Sequence, residues 1–240
     1  CLVARVRFHV YANTRLAGHR VMNCEIHNLP PLRCEAFQAT ECVRALVHTV
    51  LFTRALGVVF PVDKECELFD ITYVTVGDPS VSRVVELRLV ELAAWLDSKT
   101  KGKRETHTKV VVSFRESVGD DDDASTASAS SSKSHCWEQW RVPLEILCIP
   151  ESAESAEQHQ GRKEHALEVQ DELRGALAHV LQIAGDAKKN IPPVTTNALV
   201  SFPFHVAFAH GDSEKHKSAT TLGQIKKLIT TASPPNMRLV

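Results

Sequence analysis

Glycine is sparse in this chain: ten among 240 residues, spread so widely that no two stand two positions apart. Without G-x-G or G-x-x-x-x-G-K, the two common loops that wrap backbone N–H groups around a phosphate are missing. There is no G-x-S-x-G, no H-E-x-x-H and no H-R-D either. The usual signatures of acyl hydrolases, zinc hydrolases and protein kinases are thereby excluded. The chain is read as a non-enzyme with no cofactor. Long hydrophobic runs are also lacking: none approaches the roughly 18 residues that a membrane-spanning helix needs.

Paired cysteines are a third absence. Cys1, Cys24, Cys34, Cys42, Cys66, Cys136 and Cys148 form no C-x-x-C, their number is odd, and no secretory segment is apparent. This argues against a disulfide framework and for a reducing, cytoplasmic setting. Cys42, Cys66 and Cys148 lie in or beside apolar segments and are expected to behave as small buried hydrophobes. A formal net charge of -1 offers no global attraction to nucleic acid or to an acidic membrane. The basic run Lys99, Lys101, Lys103, Arg104 has no interleaved aromatics for base stacking and reads as a charged loop, with no nucleic-acid partner. His205, His210 and His216 are spaced too widely for a helix face or a zinc knuckle, so no metal site is expected. His48 is expected to be half-buried and hydrogen-bonded.

What is present is an ordinary globular composition, 43% hydrophobic and 24% charged. Residues 1–21 carry Arg5, Arg7, Arg15 and Arg20 but no acid, and Met22 opens a different kind of sequence. The first 21 residues are read as an extension outside the domain. An upstream artefact of the gene model is preferred to a loosely docked tail or an organellar transit segment. A single domain is expected over 22–240, interrupted at about 117–135 by an Asp- and Ser-rich excursion too polar to repay its ordering.

Within the domain, 22–32 predicts a first strand. Apolar spacing of three and four predicts a helix from Glu35 that stops near Gly57. Leu68 to Val76 reads as a strand, and Val81 to Leu96 as a second helix. Val110 to Phe114 and Trp137 to Ile149 are strands, with Pro143 suggesting an edge strand or a bulge. The longest helix is expected from Glu164 to Lys188. Its apolar residues cover an arc of about 220°, wider than the roughly 100° that one packed face needs. Val169, Ala176 and Ile183 lie at one margin of that arc beside Glu172 and His179. If the sheet takes Leu173, Leu177 and Leu181, those five residues are the candidate protein-binding surface. A strand over 198–209 and a short terminal helix around Leu222 to Ile229 complete the reading. Leu46, Val50, Phe69, Ile71, Tyr73, Leu89, Leu92, Trp140, Leu144 and Leu177 are expected to share one core.

Several blocks carry a resemblance. Met22-Asn23-Cys24-Glu25 is followed by His48-Thr49, Arg54-Ala55-Leu56-Gly57 and Glu67 to Val74 (ELFDITYV). Trp95-Leu96, Trp137-Glu138-Gln139-Trp140, Ile191-Pro192-Pro193 and Phe202-Pro203-Phe204 come after. In order and spacing these resemble plant-type members of the autophagy-related protein 101 family. The resemblance implies an α+β HORMA domain, three helices on a mostly antiparallel sheet. It implies a non-catalytic scaffold of the autophagy-initiation kinase complex that pairs with the HORMA domain of autophagy-related protein 13, in the cytoplasm at the phagophore assembly site. A checkpoint-type HORMA adaptor binding peptides of chromosomal partners is the alternative, sharing the fold but not these blocks. The family's exposed Trp-Phe finger has no counterpart here, since no aromatic residue stands between Phe114 and Trp137.

Overall fold

Two prolines shape the first edge of the sheet. In the computed structural model, which describes residues 24–117, 134–148, 156–188, 190–194 and 201–210, the expected first strand is split. It forms β1 (Glu25–Asn28) and β2 (Leu32–Glu35), with Pro30 and Pro31 between them. Both halves run parallel to one long strand, β6 (Ser134–Leu147), β1 pairing with its middle and β2 with its C-terminal end. Proline cannot donate to a ladder, so the break falls where the prolines fall.

The same break explains Pro143. That residue sits not on an edge but in β6, between β1/β2 and β5 (Glu105–Ser117). The carbonyl of Arg141 accepts from Leu29 N at 2.9 Å, so Pro143, two residues on, faces the same side. Between the partners of Asn28 and Leu32 that side has no ladder to receive a donor. The expected bulge exists, but at Trp137: the register steps from Phe114↔Glu138 to Arg115↔Cys136. The extra residue breaks the alternation of inward and outward side chains. Trp137 and Glu138, although consecutive, are therefore both buried.

The sheet runs β1-β6-β5-β7, with β7 at Phe204–His210 and β2 extending the β1 edge. The β5, β6 and β7 pairings are antiparallel. A separate antiparallel hairpin is made by β3 (Val62–Glu65) and β4 (Thr72–Thr75). Sequence periodicity misses β3 because all four of its residues are exposed, leaving no alternation to detect. Gly77 follows β4 at a φ of 77°, and a Cβ there would collide with the carbonyl oxygen of Phe60. Only glycine permits that approach, which seats the 58–61 loop beside the start of the next helix.

Three helices follow the expected order: α1 (Ala36–Thr53), α2 (Pro79–Thr100) and α3 (Ala156–Asp186). Gln38 accepts from Glu35 N at 2.9 Å at the start of α1. The side chain of Asp78 accepts from Ser80 N at 2.7 Å at the start of α2, with Pro79 in its first turn. α1 packs between α2 and α3 and also meets β4 and β6. Its buried residues consequently lie on nearly every face, as its low charge content requires. α1 ends at Thr53 rather than near Gly57, because Arg54 leaves the helix to enter the core.

The core is one contiguous cluster. Nine of the ten expected core residues are buried in it, and Leu177 packs half-buried against it. The expected 1–21 extension, the polar excursion over most of 117–135 and the terminal helix near Leu222 lie outside the described residues.

Candidate functional site: a buried ion cluster and the outer margin of α3

Two of the blocks quoted above meet in space. Arg54, just beyond α1, and Glu138, beside the bulge of β6, are both 1% exposed. Arg54 Nε donates to Glu138 Oε2 at 2.8 Å, and its Nη2 donates to Oε1 at 2.6 Å. His27 of β1 approaches Oε1 at 3.0 Å. Trp140 borders the group, with Arg54 Cζ 5.6 Å from its ring centroid and the His27 ring at 4.5 Å. Burial alone would push the Glu138 carboxyl up, but hydrogen bonds from Arg54 and His27 outweigh it and hold it below the ordinary carboxylate value. Both carboxylate oxygens are occupied within the protein. The arrangement joins α1, β1 and β6, and it leaves no sealed carboxylate oxygen free to act as a base.

A second network lies between α1 and α2. Arg44 donates to both oxygens of Glu86 at 2.7 and 3.1 Å and also pairs with Glu41. Glu41 accepts from Glu67 N at 3.1 Å, anchoring the loop after β3. Burial, followed by the nearby Glu41 charge, pushes the Cys66 thiol up to about 11 and the Tyr73 phenol up to about 12. Neither group is set up as a nucleophile at neutral pH.

His48 lies deeper than expected. It is buried and stacked on Tyr73 with ring centroids 5.9 Å apart, and its Nδ1 has no hydrogen-bond partner. Burial, against a smaller opposing effect of Glu86 and with help from Arg44 and Lys64, lowers its pKa to about 4. The unfolded chain therefore binds a proton on this residue before the native state does. The stabilisation is complete above the ordinary value of 6.5 and falls as pH drops toward about 4. A loss of about 3 kcal/mol across that window is expected. His48→Phe, which keeps the stack, should flatten the pH dependence of urea unfolding between those values. The contribution of Glu138 disappears only below the ordinary carboxylate range, so the two effects separate.

Of the cysteines expected to be buried, Cys42 and Cys66 are, whereas Cys148 is half-exposed at the end of β6. Among the described residues no group of His, Cys, Asp or Glu is arranged to hold a metal. His205 is half-buried in β7.

α3 rotates the expected binding margin inward. Val169 and Ala176 are 0% exposed and belong to the chain's own core, as do Leu173, Val180 and Ala184. Ile183 is half-buried against that core, while Glu172 and His179 are exposed. The Glu172 side chain is engaged within the chain, accepting from Arg33 N at 3.0 Å. The reason is that α3 packs against α1 and β2 rather than flat on the sheet. The apolar arc does exceed what the fold covers, but at the other margin, where Leu167 is 61% and Leu181 55% exposed. A signal was available: the small and β-branched residues Val169, Ala176, Val180 and Ala184 mark the face that permits a close helix–helix approach.

A family model described as Autophagy-related protein 101 matches residues 31–198. The chain is also similar to Autophagy-related protein 101 of Arabidopsis thaliana, 24% identical over 227 residues that cover 89% of this chain and 98% of the relative. Arg54, Glu138, Leu167 and Leu181 all fall within the matched span. On the three-helix α+β architecture described above, a match of this extent settles the point: the chain belongs to the Autophagy-related protein 101 family, of HORMA type, and its role is in autophagy.

Proposed function

We propose that this protein is a non-catalytic scaffold subunit of the autophagy-initiation kinase complex, pairing with the HORMA domain of autophagy-related protein 13. It would act in the cytoplasm, at the phagophore assembly site. The observation that carries the reading is the outer margin of α3. There Leu167 and Leu181 stay in water although the helix buries Val169, Leu173, Ala176 and Val180 completely. Exposed apolar side chains of this size, four helical turns apart on one face with the exposed Arg174–Asp171 ion pair between them, suit two apolar contacts in a protein interface that also carries charge. Glu172, His179 and Ile183 lie on the opposite margin of the helix and stand outside this interface, and Val169 and Ala176 hold the helix to the chain's own core. No helix among the described residues is long and apolar enough to cross a membrane. The match to the autophagy family removes the reason to keep the checkpoint-type alternative.

The test is co-purification of autophagy-related protein 13 with tagged protein carrying Leu167→Asp and Leu181→Asp together. Charge at an interface centre typically costs 2 kcal/mol or more, so binding should weaken by about 30-fold or more. Circular dichroism and melting should stay native because both residues are exposed. Undiminished binding by the folded double variant would place the interface elsewhere.

A further inference from the structure

One pair of thiols is placed for chemistry that the scaffold role does not use. Cys24, immediately before β1, has its Sγ 3.4 Å from the Sγ of Cys136 in β6, across 112 positions of sequence. Both residues are half-buried and free. The proximity follows from the fold. β1 runs parallel to β6 from Glu25↔Glu138 onward, and the bulge at Trp137 draws Cys136 toward the start of β1. Cys34 and Cys42 also neighbour each other, as the rise of the Cys42 pKa through a hydrogen bond to Cys34 indicates. Both of those, however, are fully sealed from solvent. Cys24 and Cys136 combine proximity with access.

We propose that Cys24 and Cys136 are an oxidisable dithiol, closed to a disulfide by peroxide, that staples the first edge strand to β6. A disulfide needs the sulfurs at about 2.05 Å, a closure that side-chain rotation can supply from 3.4 Å. The chemistry balances. One thiolate attacks the O–O bond of hydrogen peroxide, giving a sulfenic acid and releasing hydroxide, which becomes water. The second sulfur then attacks the sulfenic sulfur, the S–S bond forms, and the S–OH oxygen leaves as water with the second proton. Two thiols are oxidised by two electrons in all, and one peroxide is reduced to two waters. Burial and the hydrogen bond with Cys136 push the Cys24 thiol up to about 12, and the two sulfurs are close enough that whichever is oxidised first is resolved by the other. The Cys136 S–H donates to the Glu138 carbonyl at 3.5 Å. The bond would therefore form one residue from the strand that carries His27, against the strand that carries Glu138. Oxidation would lock the junction described above.

The experiment treats the purified full chain with stepwise hydrogen peroxide, blocks remaining thiols with N-ethylmaleimide, and maps peptides without reduction. The expected result is a Cys24–Cys136 cross-link within one chain, a mass loss of about 2 Da, reversal by dithiothreitol, and a melting temperature raised by about 5 °C or more. Cys24→Ser and Cys136→Ser should each show no such rise. If either variant fails to fold, the wild-type peptide map decides alone. Sulfinic acid on a single cysteine, cross-links between chains, or both thiols alkylated after peroxide would each overturn the proposal. An intrachain bond that leaves the melting temperature unchanged would overturn the staple.

Discussion

Arg54→Met should destabilise the fold by about 3–5 kcal/mol, because it leaves the Glu138 carboxylate buried with only His27 beside it. The penalty is for an uncompensated charge rather than for lost packing. The double variant Arg54→Met with Glu138→Leu should therefore recover most of the loss, since replacing a whole buried pair by apolar groups is often close to neutral. The pH response supplies a sharper signature. In the native protein the Glu138 pKa is depressed, so its contribution is present above the ordinary carboxylate value and is lost as pH falls. In Arg54→Met the buried carboxyl would titrate above its unfolded value. That variant should gain stability on moderate acidification, opposite in sign to the wild type. Urea unfolding at pH 7 reads the loss, and a series from pH 7 to pH 4 on a His48→Phe background, where the fall due to His48 is removed, reads the sign of the pH response. A loss below about 1 kcal/mol at pH 7 would mean that the pair is not what joins α1 to β6.

Ala176→Glu is the second large effect, and here the structure changes the meaning of the experiment. From the helical arc alone, this substitution tests partner binding. In the structure Ala176 is 0% exposed, so the variant would drive the extra methylene and carboxylate of Glu into a packed seam. A loss of about 3 kcal/mol or more is expected, with partner binding falling only because folding does. Leu181→Asp, at an exposed position of the same helix, should change stability by no more than about 0.5 kcal/mol. Thermal melts of the two variants side by side decide the orientation of α3. A native melt for Ala176→Glu would return that face to a partner.

The difference between those two residues shows what was legible. The apolar spacing of α1 and α2 determines both helices and their share of the expected core, Leu46, Val50, Leu89 and Leu92, because a 3.6-residue period leaves little freedom about which side is buried. The width of the α3 arc was legible too. Which margin faces out was not, because it depends on α3 lying against α1 and β2 instead of on the sheet. Strand β3 left no trace in periodicity, as a wholly exposed hairpin arm has none. The lack of a donor at Pro143 is plain from the sequence, but the missing partner is a gap in the neighbouring edge rather than an open edge. The blocks around Arg54 and Glu138 were visible as part of a family resemblance. Their chemistry was not, since the two charges are 84 positions apart and only the fold makes them one buried pair.

The central claim is pairing with another HORMA domain, and sedimentation velocity of the purified chain mixed with the HORMA domain of autophagy-related protein 13 tests it most directly. At about 10 μM each, a micromolar or tighter complex would be largely formed. The account predicts one faster species whose mass equals one copy of each protein, and its disappearance when Leu167 and Leu181 are both replaced by Asp. Two unshifted species from folded wild-type proteins at that concentration would contradict it.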